Sequence, residues 1–165
     1  MSTTHRNELP YTSSTRPDVW DALINVDTDS TGQNVHLIYS NKYVPALPHD
    51  SGTCGYWNQE HLWPQSQGVS NSGMDNTDLH HLRPVNCNVN SAHVEKRGDI
   101  ARAIFYMDLR YSGSEQNTLD LVVSDCPSSV PNGAGMGYLS QLLQRHLDDP
   151  VHQEEIDRNE NVCSN

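Results

Sequence analysis

Basic residues are scarce in this sequence of 165 residues: ten Lys and Arg stand against 21 Asp and Glu, for a formal net charge of −11. That is the wrong sign for a protein that would hold nucleic acid on a broad positive surface. Half of the basic residues nevertheless cluster in one short stretch: Arg83, Lys96, Arg97, Arg102 and Arg110. We therefore expect a local basic surface on an acidic body and weak, salt-sensitive binding to a polyanion. A solvated helix face is the alternative role for Arg110.

Apolar residues are also few. They make up 35% of the chain, with a single Phe, and the mean hydropathy is −0.70. The sequence contains no apolar run of roughly 18 residues or more, which excludes a transmembrane helix. We expect no membrane partner. The first eight residues are polar apart from Met1, so we expect no signal peptide in this chain. The length suits one domain with a modest core, and we expect a monomer.

The four cysteines do not form a Cys-x-x-Cys pair, which argues against a zinc ribbon. An even number allows disulfides and an oxidising compartment, with buried free thiols as the alternative. Three disulfide pairings are open, and the sequence does not select one. If Cys54 and Cys87 form a bridge, Cys126 and Cys163 would pair with each other or stay free.

Periodicity and turn residues predict an α+β fold. Residues 1–17 should be a flexible lead, and residues 18–165 one domain. Helices are predicted over residues 18–24, 84–94, 98–111, 138–147 and 150–160, strands over residues 34–40 and 56–62, and a strand or buried connector over residues 119–123. Residues 65–77 should form a surface loop. In the predicted helices over residues 98–111 and 138–147, the residues expected to face the core are Ile100, Ile104, Met107, Tyr111, Leu139, Leu142, Leu143 and Leu147. Trp57, Trp63 and Tyr56 should also be core residues.

The adjacent pair Glu60-His61, followed later by Asn90, carries the chemistry. A carboxylate and an amide oxygen suit a hard cation such as Mg²⁺, and a neutral imidazole can take a proton near neutral pH. Consecutive strand residues point to opposite faces, so the pair needs a strand end or a twist, which the following Leu62-Trp63-Pro64 would supply. From these residues alone, a surface Glu beside a structural His is the stronger interpretation.

The wider pattern resembles the endonuclease I family of non-specific nucleases. The segments that carry the resemblance are Asp18-Val19-Trp20-x-Ala22-Leu23, Asn58-x-Glu60-His61-x-Trp63-Pro64-x-Ser66, Asp78-Leu79-His80-His81-Leu82-Arg83-Pro84, Val89-Asn90-Ser91 and residues 97–107. The resemblance implies a ββα-metal (His-Me finger) nuclease fold. It also implies a magnesium-dependent endonuclease that cuts DNA without sequence preference and leaves 5′-phosphates, with RNA as a further substrate. Ca²⁺ or Mn²⁺ would be substitute metals, and the location would be extracellular or periplasmic.

The resemblance also implies roles for single residues. His61 would be the general base, Glu60 and Asn90 the metal ligands, and Arg83 a phosphate contact whose alternative is a structural pair with Asp78. Asp78 would fix a loop or orient an imidazole, His80 would position the site, and His81 would pack or hydrogen-bond. The family's Arg-Gly-Asn after Val-Asn-Ser is absent, so its arginine is missing or replaced by Arg97.

Three other interpretations follow from the sequence. Because the chain lacks that segment and the family's usual C-terminal stretch, it could be a weakened remnant that binds metal or nucleic acid without cutting. The second interpretation is a phosphodiesterase that hydrolyses other phosphate esters. A structural zinc module built from His80, His81, His93 and cysteines is the third.

Overall fold

The structure, a computed structural model, describes residues 8–47, 56–86 and 96–164. In chain order its helices and strands are α1 (Val19–Val26), β1 (Asn34–Leu37), β2 (Lys42–Pro45), β3 (Trp57–His61), β4 (Leu82–Asn86), α2 (Arg97–Arg110), β5 (Val122–Val123), β6 (Gly135–Met136), α3 (Leu139–Asp148) and α4 (Gln153–Ser164). The strands pair as β1 with β2, β3 with β4 and β5 with β6, the first two antiparallel and the last parallel. This mixture of helices and small sheets confirms the α+β prediction.

Helix α1 begins where the sequence predicts. Asp18 accepts hydrogen bonds from the backbone N–H groups of Trp20 and Asp21, and the Asp21 carboxylate accepts the N–H of Asp18 in return. This capping box satisfies amide groups that have no partner inside the helix. The buried face of α1 packs on β1, β3 and β4 in a first core: Val19, Trp20, Ala22, Leu23, Val26, Val35, Leu37, Ala46, Trp57, Leu79 and Leu82. Leu9 and Tyr11, from the predicted flexible lead, pack against it.

The prediction of a helix from residue 84 is wrong at its start. Residues 82–86 form strand β4, in which Pro84 lies opposite Gln59. The carbonyl of Pro84 accepts the N–H of Ile38, so β4 is also tied to the chain that follows β1. Proline can begin a helix. That local preference is outweighed here by pairing on both sides of the strand and by the burial of Leu82, Arg83, Pro84 and Val85. Residues 87–94 of the predicted helix lie outside the described residues.

Helix α2 confirms its prediction closely and organises a second core. Ile104, Met107 and Tyr111 are buried at the expected spacing, with Ile100 packed at the edge. They contact Trp63, Leu121 and Leu142. The tryptophans are buried as predicted, whereas Tyr56, also predicted to be in the core, is 48% exposed.

Helix α3 buries fewer residues of its apolar face than predicted. Leu142 is buried, but Leu139 and Leu143 are partly exposed and Leu147 is 70% exposed. The prediction that all four leucines point inward is therefore wrong, because Leu142 is the one of the four that packs into the second core around α2. Among the described residues, no helix combines the length and apolar character needed to cross a bilayer.

Helix α4 is held to the rest of the molecule by polar contacts. The carboxylate of Glu154 accepts hydrogen bonds from Lys96 Nζ at 2.6 Å and from the Tyr43 hydroxyl at 2.8 Å. Burial opposes ionisation of this carboxyl group, but the two hydrogen bonds outweigh it and lower its pKa to about 2. The ionised form is therefore favoured by the folded state.

We expect Glu154 to make stability depend on pH. Since its pKa falls from 4.5 to about 2 on folding, its contribution is complete above pH 4.5 and disappears as the pH falls toward 2. Urea unfolding of wild type and Glu154→Gln at several pH values measures this, and the difference should be at most about 1 kcal/mol because the carboxylate is partly exposed. A difference that stayed constant across the range would contradict the assignment. Glu160→Gln, at an exposed position of the same helix, is the matched control.

Candidate active site

The hairpin of β3 and β4 places Glu60 and His61 at the end of a strand. Glu60 lies opposite Arg83 and His61 opposite Leu82, and His61 is the last residue of β3. Beyond it, the backbone N–H of Leu62 donates a hydrogen bond to the carbonyl oxygen of His81. Both side chains are only partly buried.

The ring of His61 is fixed by a backbone carbonyl. Its Nε2 lies 2.8 Å from the carbonyl oxygen of Asn76. A carbonyl oxygen can only accept, so Nε2 carries the proton and Nδ1 keeps a lone pair. Burial lowers the pKa of His61, although the hydrogen bonds to Asn76 act in the other direction. The ring is thus held neutral with one nitrogen able to take a proton.

The ring of Tyr11 lies close to both His61 and Glu60. Its ring is stacked on His61 with the centroids 5.5 Å apart and the planes at 14°. Burial and then the negative charge of Glu60 raise the pKa of Tyr11, so the Glu60 carboxylate also lies close to this ring. Sequence reasoning missed Tyr11, because a single tyrosine in a Ser-, Thr- and Pro-rich segment gives no signal.

The negative charge of Glu60 is little compensated by other groups of the protein. Burial raises its pKa, and among the described residues no basic group acts on that pKa in the opposite direction. Its charge, after burial, helps to raise the pKa of Tyr39 to about 12. Arg83, its cross-strand neighbour, donates elsewhere. A half-buried anion of this kind fits a bound cation, since a hard oxygen ligand and a charge awaiting compensation are both present.

Asp78 is buried at the centre of a hydrogen-bond network. Its carboxylate accepts from the hydroxyls of Tyr111 at 2.7 Å and Tyr106 at 3.1 Å, and from the backbone N–H of His80. The Nδ1 of His80 is 2.9 Å from the same carboxylate, and its ring stacks on Tyr106. The imidazole that Asp78 contacts is therefore that of His80.

The residues predicted to be a surface loop provide part of the site. The segment 65–77 contains the 3-10 turns Gln65–Gln67 and Met74–Thr77, and Asp75 and Asn76 are buried. Sequence reasoning missed their role because it depends on two main-chain carbonyls, which any residue type supplies. His81 is fully buried and its Nε2 lies 2.7 Å from the carbonyl oxygen of Asp75. This agrees with the packing or hydrogen-bonding role predicted for it.

Arg83 occupies a structural position. It is 6% exposed, and its Nη1 donates to Asp27 at 3.1 Å rather than to Asp78. Arg158 donates two further hydrogen bonds to Asp27, at 2.7 and 2.9 Å, and a third to the carbonyl of Leu82. Both the phosphate contact and the Asp78 pair predicted for Arg83 are therefore corrected, because a buried carboxylate already engages its guanidinium.

The expected basic surface is largely internal. Four of its five members bind acidic side chains: Arg83 with Asp27, Lys96 with Glu154, Arg102 with Glu155 and Arg110 with Glu115. Arg97 is exposed in the first turn of α2 and stays a predicted substrate contact.

A second group of potential ligands consists of Asp99, Asp149 and His152, whose ligand atoms lie within 4.8 Å of one another. Asp99 is 2.9 Å from Arg102, and Asp149 accepts the N–H of Gly98. The charge that would attract a metal ion there is already compensated by the chain itself.

Three predicted features lie outside the described residues: the ligand Asn90, the Cys54–Cys87 bridge, and His93. Cys126 and Cys163 are free and exposed, which is one of the two outcomes expected for them. His80 and His81 bind separate acceptors, Asp78 and the Asp75 carbonyl. They do not converge as a zinc module would require.

The chain is similar to known proteins over nearly its whole length. The family model described as Endonuclease I matches residues 3–97 and 92–165. A protein named extracellular ribonuclease from Bacillus amyloliquefaciens is 32% identical over 190 residues, and one of the same name from Bacillus subtilis (strain 168) is 33% identical over 191. Each alignment covers 96% of this chain but only 64% and 65% of the relatives. No solved structure matches it significantly.

We expect Arg83→Met to lower the free energy of unfolding by roughly 3 kcal/mol, because it leaves a buried carboxylate with one guanidinium fewer. Arg97→Met, a change of the same kind at an exposed position, should leave stability unaltered. Urea unfolding of both variants tests the structural assignment. Equal stabilities for the two variants would contradict it.

Proposed function

Since this chain belongs to the endonuclease I family, we propose that it is a metal-dependent endonuclease acting on DNA and RNA at the Glu60-His61 site. Family membership places it among nucleases, which hydrolyse phosphodiester bonds. The observation that carries the proposal is the hydrogen bond from His61 to the Asn76 carbonyl, since it leaves Nδ1 as the proton acceptor that such hydrolysis needs.

In the proposed reaction, Nδ1 of His61 removes a proton from a water molecule as its oxygen attacks phosphorus. The bond from phosphorus to the 3′ oxygen breaks, which leaves a 5′-phosphate and a 3′ hydroxyl after protonation. Glu60 and Asn90 would hold the divalent cation, with Mg²⁺ the first candidate and Ca²⁺ or Mn²⁺ as substitutes. When bound, this cation would neutralise charge on the phosphate and on the leaving oxygen.

The fold and the location are part of the same proposal. The β3–β4 hairpin, with His61 at the end of its first strand, supports the ββα-metal arrangement. Residues 18–165 would form one nuclease domain, with Tyr11 of the preceding segment packed on it. The relatives' name, extracellular ribonuclease, supports RNA as a substrate and secretion as the destination.

The first test removes the proposed base. His61→Ala should reduce cleavage of plasmid DNA and RNA by about 10²–10⁴-fold, the usual contribution of general-base catalysis. Circular dichroism and thermal unfolding should show that the fold persists. His152→Ala is the matched control, because that imidazole is exposed and lies just before helix α4 rather than in the β3–β4 hairpin. Cleavage at the wild-type rate by the His61 variant at saturating Mg²⁺ would remove His61 from this role.

The second test concerns the metal ligands. Glu60→Gln and Asn90→Ala should raise the Mg²⁺ concentration needed for half-maximal cleavage, because each removes one proposed oxygen ligand or its charge. High Mg²⁺ should restore part of the rate, whereas it should not rescue His61→Ala. Glu160→Gln is the control for loss of a carboxylate. Metal titrations that coincide with wild type for both ligand variants would refute the assignment.

A further inference from the structure

The 3-10 turn Met74–Thr77 ends in carbonyl groups that cannot be satisfied within the turn. The backbone leaves helical geometry at Asp78, where φ is −71° and ψ is 115°. The last carbonyls of any helix need partners from outside it. Because Asp75 and Asn76 are both buried, those partners must come from the protein.

Two imidazoles take these positions side by side. His81 donates from Nε2 to the Asp75 carbonyl at 2.7 Å, and His61 donates from Nε2 to the Asn76 carbonyl at 2.8 Å. The ring centroids of the two histidines are 5.2 Å apart. The rings thus contact each other as well as adjacent carbonyls of one turn, so displacement of either carbonyl would disturb both.

His81 is suited to holding the turn and unsuited to chemistry. It is fully buried, so no substrate reaches it. Its Nδ1 has no hydrogen-bond partner among the described residues, which leaves the Nε2 bond to Asp75 as the polar contact of the side chain. Burial lowers the pKa of His81 to about 4, so the ring is neutral and carries a single N–H.

We propose that His81 is a positioning residue for His61. Its N–H fixes the Asp75 carbonyl, and with it the adjacent Asn76 carbonyl that keeps the proton of His61 on Nε2. The inference rests on the proposed function for its catalytic consequence, but the tautomer of His61 can be measured without any reaction.

The experiment compares wild type, His81→Gln and His81→Met. Glutamine retains an N–H donor on a side chain of similar reach, whereas methionine fills the space without a donor. Nitrogen-15 NMR of the imidazoles in the metal-free protein gives the tautomers. Cleavage of a fluorogenic oligonucleotide with Mg²⁺ gives kcat and KM separately.

In wild type, both rings should be protonated at Nε2. In His81→Met, part of the His61 population should shift to the Nδ1–H tautomer, and kcat should fall by up to about 10²-fold at unchanged KM, as for a misplaced catalytic group. His81→Gln should restore both properties. If methionine prevents folding, the wild-type tautomers and the glutamine variant decide the matter: a glutamine variant with wild-type kcat supports the proposal.

The inference is overturned by an Nδ1–H tautomer of His81 in wild type, or by a folded methionine variant with the wild-type tautomer and kcat. A glutamine variant as impaired as the methionine variant also overturns it, since packing would then explain the effect. Failure of the proposed function looks different. Either wild type would then not cleave, or His61→Ala would cleave at the wild-type rate, while the NMR spectra of the His81 variants would still report on the turn.

Discussion

The buried carboxylate of Asp27 is the constraint on which the rest of the structure depends. An ionised group without partners is very costly to bury, and here Arg83 of β4 and Arg158 of α4 both donate to it. Burial raises the pKa of Asp27 to about 7, and the Arg83 guanidinium opposes that rise by favouring the ionised form. Because Arg158 also binds the carbonyl of Leu82, the end of α1, the start of β4 and the C-terminal helix are fixed together. The position of each residue along β4 in turn determines which residue lies opposite His61 in the hairpin.

The pairing of basic with acidic side chains also limits the positive surface that this acidic chain offers to a polyanion. Most of the clustered basic residues neutralise acids of the protein itself, as the pairs of Lys96 with Glu154 and Arg102 with Glu155 illustrate. They leave little positive surface for phosphate. In the function proposed above, attraction for the substrate would therefore come mainly from the cation held near Glu60. Ground-state binding would be weak, since few phosphates would be neutralised by side chains.

Local patterns predicted secondary structure well where local and tertiary preferences agree. Helix α2 has a regular apolar stripe, and α1 has both a stripe and a capping aspartate, so both were predictable. The pattern failed at Pro84, where pairing with β3 overrides a helix-start signal. It also failed at Leu143 and Leu147, whose spacing indicates an amphipathic helix but not how wide a surface its neighbour will cover.

The sequence by itself determined the family and the α+β class, because residue types and spacings are sufficient for these, and through the family resemblance it singled out Glu60-His61 as the candidate site. Only the tertiary structure decided which groups act on that pair. The Asn76 carbonyl that orients His61 is a backbone atom, and Tyr11 reaches the ring from a segment without a recognisable motif. The sequence predicts that Arg83 contacts the substrate, whereas in the folded protein Arg83 pairs with Asp27. A side chain's partner depends on long-range packing, which no local pattern of residues encodes.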